Sequence, residues 1–331
     1  MVERYKATLL GCGIGDALGQ QVEGWSAEEI ARYAGRITGL IGQPYLPADA
    51  TVRRHNRKRG ECTDDTILTL AVAESIVSCG GLNLEDMCAR QLRAYSARKR
   101  PDGSVAGGFG RTTREAFEHM LRGIPPEDAG VDGLGNGPAM KMAPVGLYMA
   151  SSGRYEEGIR FAAALGYTTH LDPRSIASGV VQAHAVCALL SYATRDAFLD
   201  SLVDASARCE SALSPPRQLS NAGSLTERLA WVRDHRDADA DTAHRVLGSS
   251  GLAFESHPFS LFMLQRHWQE PLSGMLATIN AGGDTDTTGA LYGALCGALH
   301  GMVFPAEWVS GLEDWESLVA AGQGIYALRK P

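Results

Sequence analysis

The chain predicts an all-α fold, a compact orthogonal multi-helix bundle, on three observations. Helix-start signals recur along it, apolar residues return at helical spacing in most segments, and alternating strand patterns are scarce. Ser26 with Glu29 and Ser224 with Glu227 have capping-box spacing, in which hydroxyl and carboxylate each satisfy a free backbone amide of the first turn. Asp172 followed by Pro173 supplies an N-cap and a first-turn proline ahead of IASGVVQAHAVCALL.

Taken in order, helical apolar spacing covers 65–78, 84–97, 112–121, 154–165, 226–235 and 286–303. Gly, Pro, Asp and Ser gather in 35–60, 99–110, 124–137 and 211–223, which are expected as loops around one pocket. No repeat of 20–50 residues stands out, and Ser214, Pro215 and Pro216 are too brief to mark a linker. With no pause in the hydrophobic pattern, 1–331 is read as a single domain.

Gly289, Gly293, Gly297 and Gly301 recur every fourth residue and form one smooth stripe on the last long helix, with Gly11, Gly15 and Gly19 suggesting the same near the N-terminus. Such stripes let backbones approach closely, and tight internal packing is the expected use. Residues 287–304 contain no Asp, Glu, Lys or Arg and approach membrane-spanning length, but acidic entrance residues and His300 favour a buried helix instead. The N-terminus has no basic flank with a signal-type core and is read as mature structure.

A formal charge of −7 argues against a broad basic face for nonspecific nucleic-acid binding and leaves room for a local phosphate pocket. Seven cysteines without a CxxC pair fit a reducing cytoplasm. Arg53, Arg54, Arg57, Lys58 and Arg59 form a basic run, read as a solvated face, with phosphate or acidic-protein contact as the alternative.

The chemistry concentrates in two acidic strings, TDDT at 63–66 and DTDTT at 284–288, each just ahead of a long apolar run. Either string alone reads as helix capping. Two strings pairing carboxylates with hydroxyls read as halves of one metal site, because four gathered carboxylates require protons or cations to neutralise them. Carboxylate and hydroxyl oxygens suit Mg or Mn, and no His or Cys stands in ligand spacing for zinc; Cys62 is assigned to packing.

Five motifs in order, GCGIGDALGQQVEG, TDDT, GNGPAMKMAPVGL, TTHLDP and GGDTDTTGALYGALCGALHG, resemble those of ADP-ribosylglycohydrolases over nearly the whole chain. The resemblance implies an all-α fold with a central dinuclear metal cleft, two Mg or Mn ions, and hydrolysis of the bond between ADP-ribose and a modified acceptor. It implies Thr63, Asp64 and Asp65 as metal ligands from one side and Asp284, Asp286 and Thr287 from the other. Glu23, Asp65 and Asp286 become the catalytic carboxylates, with Glu23 as acid/base, gate or ligand and Asp16 as support at the substrate site.

Gly135, Asn136, Gly137 and Met140 resemble the family's substrate loop, where a glycine-rich turn brings amides to phosphates. Lys141 stands where relatives often carry Arg, which weakens any bidentate contact there. His170 matches a histidine beside the substrate, with a local cap hydrogen bond as the alternative, while His184, His257 and His300 are read as structural. Phe109 is expected to stack on adenine or ribose, or else to fill core, and Gly110 to allow close backbone approach.

The expected ligand is ADP-ribose on a modified protein, with arginine the first acceptor and serine or nucleic acid the alternatives, and with no membrane partner. An Mg-dependent phosphohydrolase would also want clustered Asp residues and a phosphate-binding turn, and a noncatalytic ADP-ribose reader could keep the same helical shell.

Overall fold

The computed structural model describes residues 1–42, 44–48, 50–53, 57–191, 194–213 and 223–329. Arg54 and the Ser214–Pro216 string lie outside the described residues. In chain order the helices are α1 (Val2–Gly19), α2 (Ala27–Tyr33), α3 (Asp64–Cys79), α4 (Leu84–Ser96), α5 (Arg111–Leu121), α6 (Gly137–Met140), α7 (Ala143–Ser152), α8 (Tyr155–Tyr167) and α9 (Pro173–Leu190). They continue as α10 (Arg195–Ala212), α11 (Leu225–Asp234), α12 (Ala240–Leu247), α13 (Ala253–Arg266), α14 (Pro271–Asn280), α15 (Thr285–His300), α16 (Ala306–Ser310) and α17 (Trp315–Ala327). Only isolated bridges of β type occur among the described residues, so the fold is all-α as the spacing predicts.

Both capping boxes form: the Ser26 and Ser224 hydroxyls accept from the amides of Glu29 and Glu227, whose carboxylates accept in return from the serine amides. Asp172 caps α9 by accepting from the Arg174 amide. The helices α3, α5, α11 and α15 start one residue before the periodic segments, a difference within the usual fraying of helix ends.

At the centre, α1 and α15 run antiparallel with backbone against backbone. A Cβ added at Gly11, Gly15 or Gly19 would overlap the carbonyl of Gly293, Gly289 or Thr285, and one at Gly297 would overlap that of Ala7. Gly11, Gly15 and Gly19 therefore face the stretch of α15 that carries Gly289 and Gly293, closer than any side chain permits, whereas Gly301 is the C-cap of α15 and lies against the Arg4 side chain instead. Around this pair, Leu9, Leu10, Ile14, Leu18, Phe259, Phe262 and Leu295 are fully buried in the main core, while Leu68, Tyr95, Phe109 and Phe117 form a smaller cluster near α4 and α5.

No helix among the described residues is long and apolar enough to cross a membrane. The run at 287–304 is instead the buried α15, its apolar surface taken up by α1, α13 and α14.

Gly15→Ala should lower unfolding stability by at least about 3 kcal/mol, since the methyl has only the Gly289 backbone to displace. Gly81→Ala, which meets nothing nearer than the Tyr148 hydroxyl at 3.6 Å, should change it by less than about 1 kcal/mol. Urea unfolding of the two variants that gave equal midpoints would contradict this packing.

Candidate functional site

The antiparallel α1/α15 pair places the C-terminal end of α1 beside the N-terminus of α15, and α3 packs against both. Asp16, near the end of α1, clasps the start of α3. Its carboxylate accepts from the amides of Thr63 (2.9 Å) and Thr66 (3.2 Å) and from their hydroxyls (2.9 and 2.5 Å). The two acidic strings, 222 residues apart at Asp65 and Thr287, meet where the Thr287 hydroxyl lies 3.4 Å from Asp65 Oδ2.

The meeting point opens into a cavity of about 260 Å³. Glu23, Asp64, Asp65, Asp284, Asp286 and Thr287 form its acidic wall, and Gly110, Gly135, Asn136, Gly137, Met140 and His170 line the rest together with 108, 111–113 and 251. The long helices α3, α5 and α15 all begin here, so their positive ends favour anionic groups. Asp64 and Asp65 occupy the first turn of α3, capped by Thr63.

Asp284 is held by its neighbours. Its amide donates to the Ser249 carbonyl (2.7 Å), and the Asn136 side chain donates to its Oδ2 (2.6 Å). Gly282 and Gly283 precede it at φ of +82° and +88°, a left-handed stretch where any Cβ would strike the backbone of Trp25 or of Ser249. The GlyGly pair ahead of DTDTT thus has a steric reason.

The expected site residues sit at different depths. Phe109 does not reach the cavity: its ring is buried against Tyr95 and Phe117, with centroids 5.3 and 6.5 Å away, so it packs core and is not placed to stack on a ligand. Asp16 is fully buried behind the wall with its oxygens occupied by Thr63 and Thr66, a support without ligand contact. Thr63 also stands behind the wall, its hydroxyl 2.9 Å from Asp16 and 3.3 Å from Asp65. Asn136 lines the cavity, yet its amide is spent on Asp284 and Ser256. His170 packs beneath the 135–137 turn, with Nδ1 2.9 Å from the Thr169 hydroxyl.

Arg111, Thr112 and Thr113 were not singled out by the motifs, although they directly follow Gly110 at the start of α5. The signal was available in GGFGRTTREAF: a helix entrance after a glycine turn exposes its first residues to whatever the turn faces.

Burial dominates the electrostatics. It raises Asp64 to about 8, with the charges of Asp16, Glu23 and Asp284 pushing the same way, and Asp16 to about 6 despite four hydrogen bonds. Asp65 and Asp286 are pushed well above the usual carboxylate range by burial and by neighbouring carboxylates. Burial likewise lowers Lys141 to about 8 and His170 to about 3, so that imidazole is neutral.

The residues fit divalent cations. Glu23, Asp284 and Asp286 each offer a carboxylate oxygen, all within 4.8 Å of one another, and Asp65 Oδ1 is buried with no hydrogen-bond partner among the described residues. Donors on this wall are oxygens alone, the set preferred by Mg and Mn.

A family model described as ADP-ribosylglycohydrolase matches residues 1–331. The chain is 26% identical to "ADP-ribosylhydrolase ARH3" of Mus musculus, covering 98% of this chain and 91% of that one. It is also 26% identical to "ADP-ribosyl-[dinitrogen reductase] glycohydrolase" of Rhodospirillum rubrum, covering 94% and 90%. A solved structure, "ADP-ribosylglycohydrolase-related protein complex", superposes with a TM-score of 0.72 at 26% identity over 99% of both chains.

Without cations, the folded protein holds a proton on Asp16 from about pH 4 to about pH 6 and on Asp64 from about pH 4 to about pH 8, where the unfolded chain has released them. These groups therefore cost stability as pH rises through that window, and a bound cation replaces the protons. The gain in thermal midpoint on adding saturating Mg or Mn should grow steadily from pH 5 to pH 8. A gain independent of pH would separate cation binding from these carboxyls.

Proposed function

This chain belongs to the ADP-ribosylglycohydrolase family and is a glycosidic-bond hydrolase, and from that premise we propose that it frees ADP-ribose from a modified acceptor with divalent cations between its two acidic strings. The observation that carries the reading is the convergence of Glu23, Asp65, Asp284 and Asp286 on one cavity wall from opposite ends of the sequence. Because both ends build one wall, we read 1–331 as a single domain. Seven free cysteines support a reducing, cytoplasmic setting.

Two Mg or Mn ions would be held by Asp64, Asp65, Asp284, Asp286 and Thr287, with Glu23 within reach and Thr63 behind. When bound they supply positive charge that orients the ribose hydroxyls and polarises water. The chain's own residues do the rest. The 135–137 turn and the α5 entrance receive the nucleotide portion, Met140 closes the floor, and Asn136 keeps Asp284 in place. Glu23, carrying an ion pair to Arg53 at 2.9 Å, takes the proton from the attacking water, while the carboxylate wall stabilises positive charge at the anomeric carbon.

We take protein arginine as the first acceptor, because the Rhodospirillum rubrum relative is named for a protein substrate, dinitrogen reductase. Nucleic-acid-linked ADP-ribose is the second reading, favoured by a cationic groove that begins at Arg111 on the cavity rim. Serine linkage fits the same wall.

Arginine-, serine- and DNA-linked ADP-ribose should be presented with Mg or Mn to the wild type and to Asp286→Ala, and the products separated. The wild type should release intact ADP-ribose from at least one, with Asp286→Ala slower by about a hundred-fold or more. AMP or phosphate as product would support a phosphohydrolase, and tight ADP-ribose binding without turnover would support a reader.

A further inference from the structure

The turn at 282–284, which presents Asp284, has a line of support that begins on α12, a helix that contributes nothing to the cavity lining. Ser249, buried just past the end of that helix, touches the turn twice. Its carbonyl accepts from the Asp284 amide (2.7 Å), and its hydroxyl donates to the Gly282 carbonyl (2.9 Å). The approach is as close as backbones permit: a Cβ on Gly283 would lie 2.1 Å from the Ser249 hydroxyl oxygen and 2.5 Å from its carbonyl oxygen. Ser249 therefore sets where the Asp284 backbone stands.

His244, in the last turn of α12, meets the same hydroxyl, with Nε2 2.7 Å from Ser249 Oγ. A hydroxyl has one proton to give and lone pairs to receive. The Gly282 carbonyl can only accept, so both contacts are satisfied together only when the serine proton points at the carbonyl and His244 donates from Nε2. The imidazole thus holds the hydroxyl in the orientation that braces Gly282. The half-buried ring is itself set edge-on against Phe259 of α13, with centroids 5.4 Å apart.

Across the turn, the Gly24 amide donates to the Gly283 carbonyl (2.7 Å) and the Gly283 amide to the Trp25 carbonyl (2.9 Å). A shift of the turn is therefore passed to the segment that follows Glu23. Glu23 and Asp284 are two of the three carboxylates whose oxygens lie within 4.8 Å of one another. The 135–137 turn hangs on other bonds, from the Asn136 amide to the Gly251 carbonyl (3.1 Å) and from the Ala253 amide to the Leu134 carbonyl (2.8 Å). Freeing the Ser249 hydroxyl leaves those bonds in place.

We propose that His244 is a positioning residue for the cation wall: standing outside the cavity, it acts through the Ser249 hydroxyl to keep Asp284 and Glu23 in register for a shared cation. The role rests on the cation reading above. Oxygen ligands bind a hard cation well only when their spacing is fixed beforehand, and partners behind a ligand typically change metal affinity by about ten- to a hundred-fold.

The test uses His244→Leu, which keeps bulk against Phe259 and removes the donor, and His244→Gln, whose amide nitrogen reaches the place of Nε2 and restores it. Mn affinity is read by calorimetric titration, which needs no turnover, and kcat and KM on an ADP-ribosylated peptide are read at saturating Mn. His244→Leu should bind Mn about ten-fold more weakly and lower kcat with KM within about two-fold of wild type, because the nucleotide turn is untouched. His244→Gln should return to within about three-fold of the wild-type Mn affinity. Ser249→Ala should match His244→Leu, and the double variant should lose no more than either alone, since both remove one contact.

Ser249→Ala reads the same contact with α12 intact, so the result does not depend on how well His244→Leu folds. Weaker Mn binding by His244→Leu beside a wild type that cleaves no ADP-ribosylated substrate would reject the hydrolase reading and keep the positioning role. Unchanged Mn affinity in His244→Leu, an equal loss in His244→Gln, additive losses in the double variant, or no Mn binding by the wild type would each overturn it.

Discussion

Everything in this protein hangs on the contact of two helix backbones, α1 against α15, made possible by a glycine on at least one side of each close approach. The contact does more than bury surface. Because α1 and α15 meet at Gly11 with Gly293 and at Gly15 with Gly289, the register between them admits no slippage, and Gly19 must lie on the Thr285 carbonyl. The end of one helix is thereby set beside the acidic entrance of the other. Asp16 then reaches across to the threonines of α3 and brings the third element into place.

That arrangement stores an electrostatic problem in the middle of the fold. Six carboxyl groups crowd together, Asp16 behind the wall and Glu23, Asp64, Asp65, Asp284 and Asp286 on it. Helix N-termini and hydroxyls relieve part of the cost. Lys141, the buried cation nearby, has its ammonium hydrogen-bonded to Gln91, outside the cavity lining. The residual repulsion is what makes protons or divalent cations the natural occupants of the wall, and it links the stability of the fold to the state of its site.

Charge is also distributed unevenly around the opening. The inner wall is acidic, whereas the rim along α5 is rich in arginine, with Arg111 standing at the boundary. A sugar carbon that develops positive charge beside a pyrophosphate matches this division: the positive charge meets carboxylates inside, and negative charge meets guanidinium groups at the edge. The glycosidic chemistry and the cationic groove are then two aspects of one field.

The helices were legible because capping and apolar spacing are local properties, written within a few residues of each other at Ser26, Asp172 and Ser224. The acidic strings were legible for the same reason, since paired carboxylates beside hydroxyls declare their chemistry wherever they fold. Which oxygens face a ligand was decided elsewhere. Asp16 and Phe109 stand in motifs that look functional, yet Asp16 is consumed by four hydrogen bonds and Phe109 by two aromatic neighbours. Arg111, Arg114 and Arg122 are unremarkable in the chain and become a groove only when the 99–105 loop closes its other side. The sequence by itself determined the helices, the glycine seam and the oxygen-rich chemistry, all carried by short-range pattern. Tertiary structure alone decided which groups remain open, because a side chain's free valence depends on partners that lie tens or hundreds of residues away.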